Sequence, residues 1–181
     1  MKKYLYFLLP LIYVALDHIT KFLVIKNIPY HSYIKINDYF SIINVSNSGV
    51  AFSMFQNNNL FFIVLVSLVI IALIYFIYKN KKELTKLQTH ALLLILSGGI
   101  GNLIDRFFRG AVVDFIDVGY KAVYRWPAFN VADSCVCIGV TLFMPLVKLL
   151  NQILLPFNAF VRGLTSISAG GFSSALGEAE D

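Results

Sequence analysis

A run of nineteen residues at 60–78, LFFIVLVSLVIIALIYFIY, contains one serine and no charge. Such a run is long enough to cross a hydrocarbon layer of about 30 Å as a helix. In lipid, a helix is one of only two spanning arrangements that keep every backbone amide paired. Three further apolar stretches, 4–25, 90–108 and 129–157, are interrupted by polar residues. With 58% hydrophobic residues, the chain reads as an all-α membrane protein of four transmembrane helices rather than a soluble domain. The first stretch follows Lys2 and Lys3 as a secretory leader would, but Asp17-His18-Ile19-Thr20-Lys21 and more apolar residues come after Leu16, with no small-x-small cleavage site. It is read as a retained helix.

The net charge of +5 is not a nucleic-acid footprint. Basic residues concentrate at Lys2 and Lys3 and in a short loop with Lys79, Lys81, Lys82 and Lys86. The positive-inside rule places that loop and the N-terminus in the cytoplasm, and four spans return the C-terminus to the same side. The longer connections, 26–59 and 109–127, then fall outside. The first alternates polar and apolar residues at 33–36 and 39–44, which predicts short strands and a small extracytoplasmic β-rich platform. Residues 1–157 form the membrane domain. Residues 158–181, rich in Gly, Ser and Ala and ending acidic, read as a flexible cytoplasmic tail with no function assigned.

Aspartates in so apolar a chain need a reason. A carboxylate at the centre of a membrane helix costs roughly 2.5–3.5 kcal/mol on insertion scales. Asp105 ends the third span, Asp133 opens the fourth on the same outer side, and Asp114 lies in the loop joining them. Asp17 and Lys21, at i and i+4, share a helix face in the outer half of the first span and can neutralise one another. Asn130 and Asp133 share a face, and Asn102, Asp105 and Arg106 sit together on one turn and a half. Gly98, Gly99 and Gly101 would admit a close neighbour. Asn47-Ser48-Gly49-Val50-Ala51-Phe52 reads as a polar turn feeding an apolar run, and Asp117 as a solvated loop charge.

Two carboxylates at close range cannot both ionise cheaply, so one keeps a proton near neutral pH. The ionised member would activate a water while its partner donates to the scissile carbonyl. Asn47, Asn102 and Asn130 would bond an unwound substrate strand, and Arg106 would hold Asp105 or a lipid headgroup. Cys135 and Cys137 point to different sides of one helix, and His18, His31 and His90 do not cluster, so neither a metal nor another cofactor is expected. The rival readings are a proton-coupled transporter or lipid carrier, a hydrolase pairing Lys21 with Ser41, Ser46, Ser48 or Ser53, and a noncatalytic scaffold.

Five blocks, DHITK (17–21), NSGVAF (47–52), GGIGNLIDR (98–106), VVDF (112–115) and FNVAD (129–133), follow one another in the order and spacing of the lipoprotein signal peptidases, the aspartic signal peptidases II. The chain resembles that family over most of residues 1–155. The resemblance implies a bacterial inner-membrane endopeptidase with an active site near the outer surface, cleaving diacylglyceryl-modified prolipoproteins before the lipidated cysteine. It implies Asp114 and Asp133 as the catalytic pair. Asp17, Lys21, Asn47, Gly49, Asn102, Asp105, Arg106 and Asn130 would bind substrate or shape the site. The partners implied are membrane lipids and globomycin-type inhibitors, with no nucleic acid, and the enzyme is expected to act as a monomer.

Overall fold

A computed structural model describes residues 5–49, 58–121 and 123–143. Four helices and four strands follow in the order α1 (Leu5–Asn27), β1 (Tyr33–Lys35), β2 (Phe40–Asn47), α2 (Asn59–Asn80), α3 (Lys86–Arg109), β3 (Val112–Tyr120), β4 (Tyr124–Arg125) and α4 (Val131–Phe143). Among the described residues, α1, α2 and α3 are long and apolar enough to cross a membrane. The 22 residues of α2 rise about 33 Å at 1.5 Å each. Only Phe62 of that helix is buried, and apart from the side packed on α3 its apolar surface is left for lipid. Three of the four expected spans are thus present at full length. Residues 144–157, expected to complete the fourth, and the tail at 158–181 lie outside the described residues.

Helix α3 is the central element, packing against α1, α2 and α4. A capping box starts it: Gln88 N–H donates to Thr85 Oγ1 at 3.2 Å, and Thr85 N–H donates to Gln88 Oε1 at 3.0 Å. Gly110 ends it with φ +78°, its N–H donating to Arg106 O. Close packing explains two of the three glycines of the GGIG segment. A Cβ on Gly98 would stand 2.2 Å from Ala132 O, and one on Gly101 would stand 2.9 Å from Asp17 Oδ2 and 3.2 Å from Ala132 Cβ. Gly99 meets only Ile70, at ordinary contact distance. Small residues therefore let α3 approach α4 and α1 closely.

The four strands form one antiparallel sheet in the order β1-β2-β3-β4. Both stretches expected as strands in the first long connection are strands, with β2 extended to Asn47. The second long connection is not a loop at Asp114, as its sequence suggested, but carries β3 and β4. Val24 of α1 and Ile28, just past its end, form a core with Phe115, on which Ile42, Ile116 and Val131 pack, so the sheet is fastened to the ends of α1 and α4.

One irregularity in the sheet resets which side chains share a face. Ile42 pairs with Ile116 and Val45 with Asp114, so three steps along β2 match two along β3. This is a β-bulge, an extra residue that shifts the side-chain alternation by one. It turns Val45 and Asn47 onto the face that carries Ile42, Ile116 and Asp114. Asn44, inside the bulge, is fully engaged: its Nδ2 donates to Ile28 O at 2.8 Å, its N–H donates to Ser32 O, and its carbonyl accepts from His31 N–H. Opposite the bulge, the N–H groups of Phe115 and Ile116 both donate to Phe129 O, at 3.1 and 2.8 Å.

Candidate active site

The polar residues picked out by the sequence meet where α1, α3, β3, the end of β2 and the start of α4 converge. Two connected layers make up the site. The deeper one is ionic: Lys21 Nζ lies 2.7 Å from Asp17 Oδ2 and 2.7 Å from Asp105 Oδ2, and all three side chains are buried. Lys21 Nζ also donates to Asn102 Oδ1 at 3.2 Å. Each acid has a second duty. Asp17 Oδ1 accepts from Ala132 N–H at 2.9 Å, fixing the first turn of α4 on α1. Asp105 pairs with Arg109 one turn on and accepts from Val113 N–H at 3.4 Å, tying α3 to the start of β3.

Above this layer stand the two carboxylates expected to act as a pair. Asn130 Nδ2 donates to Asp114 Oδ1 at 2.8 Å, while Asn130 N–H donates to Asp133 Oδ2 at 3.1 Å. One residue therefore touches both carboxylates. Asn130 Oδ1 in turn accepts from Asp133 N–H at 2.9 Å, closing the first turn of α4. The second oxygen of each acid has its own amide donor: Asn47 Nδ2 on Asp114 Oδ2 at 3.1 Å, and Asn102 Nδ2 on Asp133 Oδ1 at 2.7 Å. Asn102 thus links the layers, since its Oδ1 accepts from both Lys21 and Asn130. Asp114 is buried and Asp133 partly exposed. Burial, with the nearby Asp133 carboxylate adding to it, pushes the Asp114 acid up to about 7, despite the amide donors of Asn47 and Asn130 and the positive Lys21. Near neutral pH such a group can hold or release a proton, as acid–base chemistry requires.

Gly49 closes the rim. Its N–H donates to Asn47 Oδ1 at 3.0 Å, and its carbonyl accepts from Arg106 Nη2 at 2.7 Å. Arg106 does not hold Asp105, as its sequence position suggested: adjacent residues on a helix point about 100° apart, and Asp105 is already taken by Lys21 and Arg109. The Arg106 guanidinium lies over the Phe62 ring instead, 5.0 Å from its centroid, and its backbone carbonyl accepts from Asn59 Nδ2 at 3.0 Å. Asp117 is not a free loop charge either; it pairs with Arg125 across the β3–β4 turn. Cys135 is buried and Cys137 exposed, on different sides of α4 as expected.

All ten residues selected from sequence therefore lie in one connected network. Arg109, Asn59 and Phe62 join it unselected. The i,i+4 spacing of Arg109 from Asp105 was a usable signal, whereas nothing in the spacing of Asn59 or Phe62 pointed to Arg106.

Comparison with known proteins places the chain in a family. Residues 9–149 match the family model described as signal peptidase (SPase) II. A lipoprotein signal peptidase of Borrelia hermsii is 44% identical over 146 residues, covering 74% of this chain and 83% of the relative. One of Halalkalibacterium halodurans is 38% identical over 148 residues, covering 80% and 92%. A solved structure described as a bacterial membrane enzyme, determined by the in meso method, superposes with a TM-score of 0.74 at 29% identity, covering 83% of this chain and 91% of that one. The chain is a membrane-embedded peptidase and belongs to the signal peptidase II family.

Proposed function

We propose that the chain is the aspartic endopeptidase of a bacterial inner membrane that removes signal peptides from diacylglyceryl-modified prolipoproteins, cutting before the lipidated cysteine. Asp114 and Asp133 are the catalytic pair. The observation that carries this assignment is the bridging of both carboxylates by Asn130, with a neutral amide on each remaining oxygen. Among the described residues no cation pairs directly with either acid; the lysine is spent on Asp17 and Asp105. A pair solvated by amides can keep one proton between its members, which a pair neutralised by a cation would not need to do.

The ionised member takes a proton from a water as its oxygen attacks the scissile carbonyl. The protonated member gives its proton to the carbonyl oxygen, forming a neutral tetrahedral diol. Collapse returns that proton to a carboxylate, and the leaving amine departs with the proton first taken from water. The pair titrates as a unit, so base and acid are not assigned to single residues. Asp17, Lys21, Asn102 and Asp105 fix the geometry, while Asn47, Gly49, Arg106 and Asn130 border the space for an extended strand. This chemistry uses no metal or other cofactor.

The spans are four, the last at 129–157, with both termini cytoplasmic and the site near the outer surface. Lys79, Lys81, Lys82 and Lys86 at the α2–α3 turn support that orientation. Membrane lipids surround a monomer, and globomycin-type peptides compete for the site.

Cleavage of a diacylglyceryl-modified prolipoprotein by the purified protein tests the reading. Asp114→Asn and Asp133→Asn should each lower turnover on the order of a thousandfold or more while preserving helicity. Substantial activity in either folded variant refutes the pair.

A further inference from the structure

The sheet is two-faced, and strand register defines the faces. Side chains alternate along a strand, and paired residues share a side. Ile34, Ile42 and Ile116 are paired across three strands, Phe40 pairs with Val118, and Tyr120 with Tyr124. All seven therefore share one face. Trp126, whose N–H donates to Val118 O, extends it in the same alternation. The opposite face carries Lys35, Ser41, Asp117 and Arg125, with Lys35 paired to Asp38 and Arg125 to Asp117. A cavity of about 460 Å³ opens among them, with Tyr33 and Ile43 also in its lining.

Among the described residues, only part of the apolar face is covered. Ile42 and Ile116 pack on Val24 and Ile28 at the end of α1. Beyond them the face overhangs the helices, and Ile34, Ile36, Tyr120, Tyr124 and Trp126 are between 49% and 57% exposed, with Val123 at the turn at 82%. An uncovered apolar surface of this kind marks a contact with something other than water. Its surroundings name the occupant. The overhang continues from the last turns of α1, where Phe22, Leu23 and Ile25 are exposed on a membrane helix. Its residues are Tyr and Trp with a lysine beside them, Lys121 Nζ lying over the Tyr120 ring. That combination belongs at the boundary between acyl chains and headgroups, where amphipathic rings and long cations are both satisfied.

We propose that the overhanging end of the sheet is seated in the lipid headgroup layer, with Trp126 and Tyr124 as its anchors and the charged face turned to water. The catalytic pair plays no part in this seating, so the presence or loss of cleavage does not bear on it. Its consequence for the enzyme is positional: β3 carries Asp114 at one end and the anchored turn at the other, so the bilayer surface sets the depth at which substrate meets the pair.

Trp126 is the single tryptophan in the chain, so the full-length wild-type protein reports its own depth. In phosphatidylcholine bilayers, lipids brominated near the headgroup end of the chain should quench its emission about twofold or more, and lipids brominated near the chain terminus clearly less, as interfacial residence requires. Aqueous iodide should have little effect. Free access to iodide without quenching by lipid would place the turn in water and overturn the proposal. Quenching by neither would mean that protein covers the face, which also overturns it. In the double variant Trp126→Phe with Lys35→Trp, the probe moves to the charged face and should respond to iodide alone; quenching by bromolipid there refutes the two-faced seating.

Discussion

Asp114→Asn should uncouple stability from activity, with a sign that depends on pH. The Asp114 acid is raised from an ordinary 3.8 to about 7 by burial and by its neighbour. Between those values the folded state keeps a proton that the unfolded chain has released, so unfolding free energy falls as pH rises. A difference of about three pH units, at 1.36 kcal/mol per unit, amounts to about 4 kcal/mol. That stability is fully present below about pH 4 and is lost as pH climbs through about 7. Because the acids are coupled, the proton counts once for the pair. Asparagine never ionises and escapes this loss. It has a cost of its own, since Asn47 Nδ2 and Asn130 Nδ2 each donate to a different oxygen of Asp114, and an amide can accept on only one side. One displaced bond costs about 1–3 kcal/mol at any pH. The stability curves should therefore cross: the variant is weaker by about 1–3 kcal/mol near pH 4 and stronger by a similar amount near pH 8. Unfolding in mixed micelles titrated with dodecyl sulfate, followed by helical circular dichroism across that range, measures both arms. A variant that is weaker by one constant amount at every pH would show that no raised proton affinity exists at Asp114, and the acid–base reading of the pair would fall with it.

Lys21→Met keeps the stem but strands the buried carboxylates of Asp17 and Asp105, and should cost about 3–5 kcal/mol; the same micelle titration reads the loss. Gly98→Ala puts a methyl 2.2 Å from Ala132 O and must drive α3 from α4, so both melting temperature and turnover should drop, whereas Gly99→Ala, facing only Ile70 at contact distance, should change neither appreciably.

The helices were legible because their signal is long and local. The 60–78 run and the i,i+4 pair at Asp17 and Lys21 need no distant partner to be seen. The strands at 33–36 and 39–44 were visible for the same reason. Strand β3 was not, because Val112-Val113-Asp114-Phe115-Ile116 has no alternation of polar and apolar residues. The structure supplies the reason: the N–H groups of Phe115 and Ile116 converge on one carbonyl, and both side chains pack inward. Arg106 was misjudged for a different cause. Its partners Gly49, Asn59 and Phe62 lie 44 to 57 residues away in sequence, and no periodicity carries information over that range. The ten residues of the network stand out in the sequence through the ordered motif blocks and the one side of the membrane expected for them, whereas the way they connect required coordinates.

The bulge in β2 gives the count of residues between Ile42 and Val45 a meaning of its own. Because alternation in a strand is binary, adding one residue there, with the bulge unchanged, would not weaken the Asn47–Asp114 contact by degrees. It would send Asn47 to the charged face and bring Ser46 round in its place, leaving one oxygen of the buried acid without a donor. Each side chain along the segment tolerates its own range of replacements, but the length of the segment does not vary continuously. In this protein a spacing, not only a residue, is part of the active site.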